Sequence, residues 1–215
     1  MSRPDRAGAA TPPPHRWSDD DALFRDRATV SGFREDDRDG SLYRRILGSA
    51  FDALPPRVRE LHDAFETRRW RGSARVERGT GFLARIIGVA MGFPDATADV
   101  PVTVTFVPER GGERWIRDFG GKVFTSVQSA GAGRDHYLLV ERFGIVRVSL
   151  ALVRDRQRLF FVPRRWSVLG IPMPGRLLPS GASFETETDG RFSFDITIQV
   201  PLIGLIVAYR GSLEP

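Results

Sequence analysis

From position 100 to position 213 the chain runs as short stretches of alternating apolar and polar residues, parted mostly by brief turn signals. The last stretch shows the pattern most clearly. Phe192, Phe194, Ile196, Ile198 and Val200 alternate with Ser193, Asp195, Thr197 and Gln199, and Pro201 to Gly204 interrupts before a second apolar run. A period of two is that of a strand with one buried face. Strands joined by short connections pair antiparallel, because a parallel pair needs a crossover of about a dozen residues or more. Such a meander must hide one face and manage its edges, and a strongly curved sheet or a barrel does both.

The periodicity predicts strands near 71–78, 100–108, 113–129, 137–143, 146–154, 158–169, 183–188, 191–200 and 205–213. Arg110-Gly111-Gly112, Gly120-Gly121, 130–135, Asp155-Arg156 and Asp189-Gly190 mark turns. Ahead of them, Asp39-Gly40-Ser41 starts a helix with Leu42, Ile46, Leu47, Ala50 and Phe51 on one stripe. Leu54-Pro55-Pro56 ends it, and Pro56 opens a second helix with Val58, Leu61, His62 and Phe65 inward. A third helix is expected over 80–93, after the first strand. The fold class read here is α+β, mostly antiparallel β: a strongly curved sheet or barrel-like meander of eight or nine strands, with N-terminal helices and one helix after the first strand. Residues 1–40 hold seven arginines, nine acids and Pro12-Pro13-Pro14, with too few apolar residues to offset ordering. They read as a disordered or loosely docked polar tail, in which Leu23-Phe24 and Val30 could dock, and 41–215 as a single β-rich domain.

Composition removes several classes of function. The absence of cysteine excludes disulfides and thiolate metal sites. Three histidines, one of them (His15) in the polar tail, make no three-histidine metal site, so neither metal nor cofactor is expected. The net charge of +5 comes almost wholly from scattered arginines, with no basic stripe for nucleic acid. The apolar run 82–94 is broken by Arg85 and falls short of the roughly 20 residues that span a bilayer. No signal peptide is legible at 1–14, which makes a cytoplasmic protein the default.

Gly79-Thr80-Gly81 with Ala84 spells a dinucleotide fingerprint, but the strand before it alternates, whereas a parallel nucleotide-binding strand is apolar throughout. His62 reads as a packed core histidine and His136 as an exposed loop residue. Trp115, Arg117 and Phe119 share one face of a strand, and Glu141 shares a face with Tyr137, Leu139 and Phe143 on a later one. If these faces point inward, Arg117 and Glu141 form either an ion pair in the wall or a polar anchor at the bottom of an apolar pocket. The segment 164–179, RRWSVLGIPMPGRLLP, reads as a crossover over one end of the sheet, or as a lid or membrane-dipping loop. Trp115, Arg117, Phe119, Glu141, Trp166 and Tyr209 are the candidate ligand-pocket residues.

The stretches SLYRRILGSAFDALPPRVRELH, VPVTVTF, GERWIRDFGG, VERFG and DGRFSFDITIQVPLIGLIVAYRGSLEP, in that order and spacing, resemble the bacterial domain of unknown function 4166 over 41–215. The resemblance implies no established activity and no catalytic residue. Relatives that follow a nucleotide-binding dehydrogenase-like domain imply a dehydrogenase-like protein as a partner. Three functions are therefore carried forward: a non-catalytic module binding an apolar small molecule or lipid; an accessory partner of a separate oxidoreductase; and an enzyme using Arg117, Glu141 and Tyr209.

Overall fold

The computed structural model describes residues 40–63 and 65–215. Residues 1–39, with the expected polar tail, and Ala64 lie outside the described residues.

Eleven strands form one sheet: β1 (Arg68–Arg78), β2 (Thr97–Glu109), β3 (Gly112–Phe119), β4 (Lys122–Ala130), β5 (Leu139–Phe143), β6 (Val146–Asp155), β7 (Arg158–Val168), β8 (Ile171–Pro172), β9 (Phe184–Thr188), β10 (Arg191–Val200) and β11 (Gly204–Glu214). Each pairs antiparallel with its successor, except that β7 pairs with both the two-residue β8 and β9. The ring closes where β1 pairs with β11, with Val76 opposite Tyr209. The result is a ten-stranded up-and-down barrel with β8 as a short flap on β7. The expected segment 113–129 is two strands, because Gly120 and Gly121, both at positive φ, turn the chain at the marked position.

In a meander, alternate connections share an end. One end carries the connections β2–β3, β4–β5, β6–β7 and β9–β10, and there the N-terminal helices dock. Helix α1 (Leu42–Leu47) stops sooner than its stripe suggests, because Gly48 adopts φ +55° and hands over to a 3-10 turn, Gly48–Ala53. Leu54 is extended and Pro56 starts α2 (Pro56–His62), as expected. The backbone N–H of Arg57 donates to Glu187 (2.9 Å), and its Nε to the Gly190 carbonyl (2.8 Å), which ties α2 to the β9–β10 turn. Tyr43, Phe51, Val58, Leu61 and His62 are buried beneath this cap. Phe65, expected inward, is exposed because the helix ends at His62.

The other end carries the connections β1–β2, β3–β4, β5–β6, β7–β9 and β10–β11. Helix α3 (Phe82–Ala90) lies in the first of these and is shorter than the expected 80–93. It packs through small residues, Ala84 and Gly88. The Arg78 guanidinium crosses Gly88 so closely that a Cβ there would fall 1.7 Å from Nη2, and Nη1 donates to the carbonyls of Phe93 and Pro94. Gly79, the first glycine of the apparent dinucleotide fingerprint, has a different task. Its missing Cβ admits the Leu205 carbonyl, 1.7 Å from where that atom would be. With β1 antiparallel to both neighbours, no nucleotide-binding βαβ unit is formed.

Inward positions along the wall are apolar and aromatic, among them Trp70, Val104, Phe106, Phe119, Phe124, Phe192 and Phe194. Outward positions on β1 and β11 include the exposed Arg69, Arg71, Arg75 and Arg210. No helix among the described residues is long and apolar enough to cross a membrane.

Candidate functional site

The barrel encloses an apolar cavity of about 440 Å³. Its walls are Val102, Val104 and Phe106 of β2, Val148 and Leu150 of β6, and Phe194, Ile196 and Ile198 of β10. Trp115, Arg117, Phe119, Glu141, Trp166 and Tyr209 all line it. Ile145 lines it and is 56% exposed, so the cavity reaches the surface at the end opposite the α1–α2 cap. Trp166 contributes to the wall from β7, and its Nε1 donates to the Pro174 carbonyl at 3.4 Å, a long bond that pins the segment after β8.

At the capped end the lining turns polar. Period two on β3 sends Glu113, Trp115, Arg117 and Phe119 inward, and on β4 sends Phe124, Ser126 and Gln128 inward. Arg117 and Glu141 do not sit on neighbouring strands, because β4 lies between β3 and β5. They meet across it: Arg117 Nη2 donates to Glu141 Oε1 at 3.2 Å and Nη1 donates to Ser126 Oγ at 2.7 Å. Glu141 Oε1 also accepts from Ser126 Oγ (2.6 Å) and Gln128 Nε2 (3.1 Å). Tyr43 Oη, from α1, donates to Gln128 Oε1 at 2.9 Å. The Arg117 guanidinium stacks over Trp115, 4.7 Å from the ring centroid, a favourable cation–π geometry.

A second polar unit abuts the first. His62 Nε2 lies 2.5 Å from Glu185 Oε2, both side chains being buried, while Nδ1 meets no partner among the described residues. The imidazole stacks on Tyr43 at 3.6 Å between centroids. Glu113 accepts from Trp115 Nε1 at 2.9 Å. Burial pushes the Glu113 carboxyl above the usual 4.5, against the pull of His62 and the Trp115 hydrogen bond. Burial also raises the Tyr43 phenol, helped by the charges of Glu185, Glu113 and Glu141. Tyr209 is pushed up to about 12 by burial, partly opposed by Arg117. Both phenols therefore remain protonated donors at neutral pH.

The Glu113 shift has a pH consequence. Its folded value lies above its unfolded one, so folding retains a proton that the unfolded chain releases. The stability this contributes is greatest below the unfolded value and falls as pH rises through the folded one. Glu113→Gln keeps an acceptor for Trp115 and removes that loss. Denaturant unfolding at successive pH values should show the variant gaining on the parent protein as pH rises from the acid range. A difference that stays flat with pH would show that Glu113 ionises freely.

The sequence reading placed His62 in the core, where it is, but did not bring it to the site, and it missed Tyr43, Glu113, Ser126, Gln128 and Glu185. Glu113 shares parity with Trp115, and Gln128 with Phe124, a signal that was present once β3 and β4 are divided. The meeting of His62 with Glu185 leaves no local trace. His136 is exposed on the β4–β5 connection, against the Tyr137 ring. No group of acidic or histidine side chains among the described residues is placed to hold a metal ion.

Fold and cavity together define the class: a closed antiparallel β-barrel with an apolar interior and a buried polar cluster at its capped end. A family model described as Domain of unknown function (DUF4166) matches residues 54–213, well over half of the chain, and the protein belongs to that family. No curated protein and no solved structure matches the chain.

Proposed function

We propose that the protein is a non-catalytic binding module that holds an apolar small molecule or lipid inside the barrel. The observation that carries this reading is the apolar cavity of about 440 Å³, within the range of small-molecule sites, with its convergent polar groups at the closed end. The apolar part of the ligand would lie against Val104, Val148, Phe194 and Ile196, and its polar end would meet Arg117, Glu141 and Tyr209. Arg117 is already offset by Glu141, so the cluster presents no uncompensated positive charge. That balance favours a neutral hydroxyl, carbonyl or amide over a carboxylate or phosphate as the ligand's polar end. A second reading, an enzyme working at this cluster, is favoured by the gathering of Glu113, Glu141, Glu185, His62 and Tyr209. The mutual satisfaction of Arg117, Ser126, Gln128 and Glu141 supports binding over catalysis.

Native mass spectrometry of the purified chain should show a non-covalent adduct, and the chain should take up a fluorescent fatty alcohol from solution. Ile196→Trp places an indole in the cavity and should weaken that uptake at least about tenfold, while overpacking costs roughly 1–3 kcal/mol of stability. Absence of both adduct and uptake in the parent protein would sink the binding reading. Recovery of the added ligand in chemically altered form would favour the enzyme.

A further inference from the structure

Among the described residues, eleven large apolar side chains are exposed, and nine of them gather at one end of the barrel. Phe82, Leu83, Ile86 and Val89 form the outer face of α3, the helix whose small residues face the wall. Val123, Ile145, Leu169, Ile171 and Leu202 stand at or beside the turns β3–β4, β5–β6, β7–β8 and β10–β11. These connections all lie at the end where the cavity reaches the surface, so the apolar side chains ring its mouth. The capped end has a more polar surface: its connections 110–111, 156–157 and 189–190 carry Arg110, Arg156 and Asp189, and its exposed large apolar residues are Phe65, before β1, and Tyr137, on the β4–β5 connection.

Two of the tips depart from ordinary turn chemistry. Leu169 and Leu202 have φ of +52° and +70°, a left-handed backbone that suits glycine or asparagine and disfavours leucine. Leu202 is 98% exposed, so neither packing nor backbone preference in the folded chain accounts for a leucine there. Strain of this kind at an exposed apolar tip is expected where the side chain serves a contact outside the fold. The charge around the mouth also has a sign. Arg85, Lys122 and Arg176 are exposed there against two exposed carboxylates, Asp95 and Asp99, which leaves the cations in excess by one.

We infer that the mouth of the barrel docks on an anionic lipid bilayer, with α3 and the turn tips entering the interface and the cavity opening towards the hydrocarbon. The inference rests on the reading of the cavity as an apolar binding site. Separate tips carried on several connections suit a deformable interface, into which each can sink independently. Arg85, Lys122 and Arg176 would lie at headgroup depth and meet anionic phosphates. An apolar ligand leaving such a cavity on a bilayer would pass between two apolar phases and would not have to cross water.

The test is flotation of the full-length chain with vesicles of phosphatidylcholine containing phosphatidylglycerol, compared with vesicles of phosphatidylcholine alone. The chain should float with the anionic vesicles, less with the neutral ones, and less with both as salt rises. Leu169→Asn with Leu202→Asn removes two apolar tips and relieves the backbone at both, so the variant should melt no lower than the parent protein. Its partitioning should fall at least about tenfold. Neither leucine lines the cavity, so uptake of the fluorescent fatty alcohol should be retained. Ile196→Trp should show the converse, losing uptake and keeping flotation. A parent chain that does not float, or a double variant that floats equally well, overturns the inference and leaves the cavity reading standing. So does sedimentation showing a dimer that the double variant dissociates, since a second copy of the chain would then cover this face.

Discussion

Arg117→Met should lower the unfolding free energy by about 3–5 kcal/mol, because it leaves the Glu141 carboxylate buried without its counter-charge. Glu141→Gln should cost less than that and still be clearly destabilising. The new amide oxygen can accept from Ser126 and Gln128, but the guanidinium loses its charge partner. The two together should cost less than the sum of the singles, by about 1 kcal/mol or more, as expected for groups in direct contact. The measurement is a double-mutant cycle by denaturant unfolding, with Ile116→Ala on the outer side of the same strand as a control for general strand effects. Small and strictly additive losses would mean that water screens the pair and that the capped end of the cavity is wet.

Tyr43 should be the other sensitive position. It is fully buried, stacks on His62 and donates to Gln128. Tyr43→Ala should cost about 3–5 kcal/mol through loss of ring packing. Tyr43→Phe should cost about 1–3 kcal/mol, because it keeps the ring and takes the donor away from Gln128 Oε1. The gap between the two variants measures how far the helical cap is held by packing and how far by the polar cluster. Equal losses would assign the whole effect to the hydrogen bond. Tyr43 lies before residue 54, where the family match begins, so the pair also tests whether α1 is integral to the barrel's closed end.

Much of the wall was legible from the order of residues alone. Parity along β3 placed Trp115, Arg117 and Phe119 on one face, and parity along β10 did the same for Phe194 and Ile196, since period two is a local property. Parity also pointed to Glu141 as the partner of Arg117, but not to how the two meet. That Glu141 reaches it across β4, through Ser126, depends on which strand lies between them and in what register, and ring closure sets both. Helix α3 was legible as a helix and not as an orientation. Its larger apolar residues Phe82 and Ile86 are exposed, and Ala84 and Gly88 are what the wall can accommodate, because Arg78 passes over the glycine. His62 and Glu185 are brought together from distant points in the chain, and nothing near either one announces the other.

The seam between β1 and β11 bears on how the molecule is made. The seam joins residues 71–78 to residues 207–214, so the ring cannot shut until the polypeptide through Glu214 has left the ribosome. Until then β1 and β10 present unpaired edges, and the apolar interior stands open to whatever is nearby. A fold whose decisive pairing spans most of the chain forms slowly and spends longest in its most adhesive state. For this barrel the last strand to emerge is therefore the latch, and the interval before it arrives is when a nascent-chain chaperone, or an apolar molecule destined for the interior, has its best access.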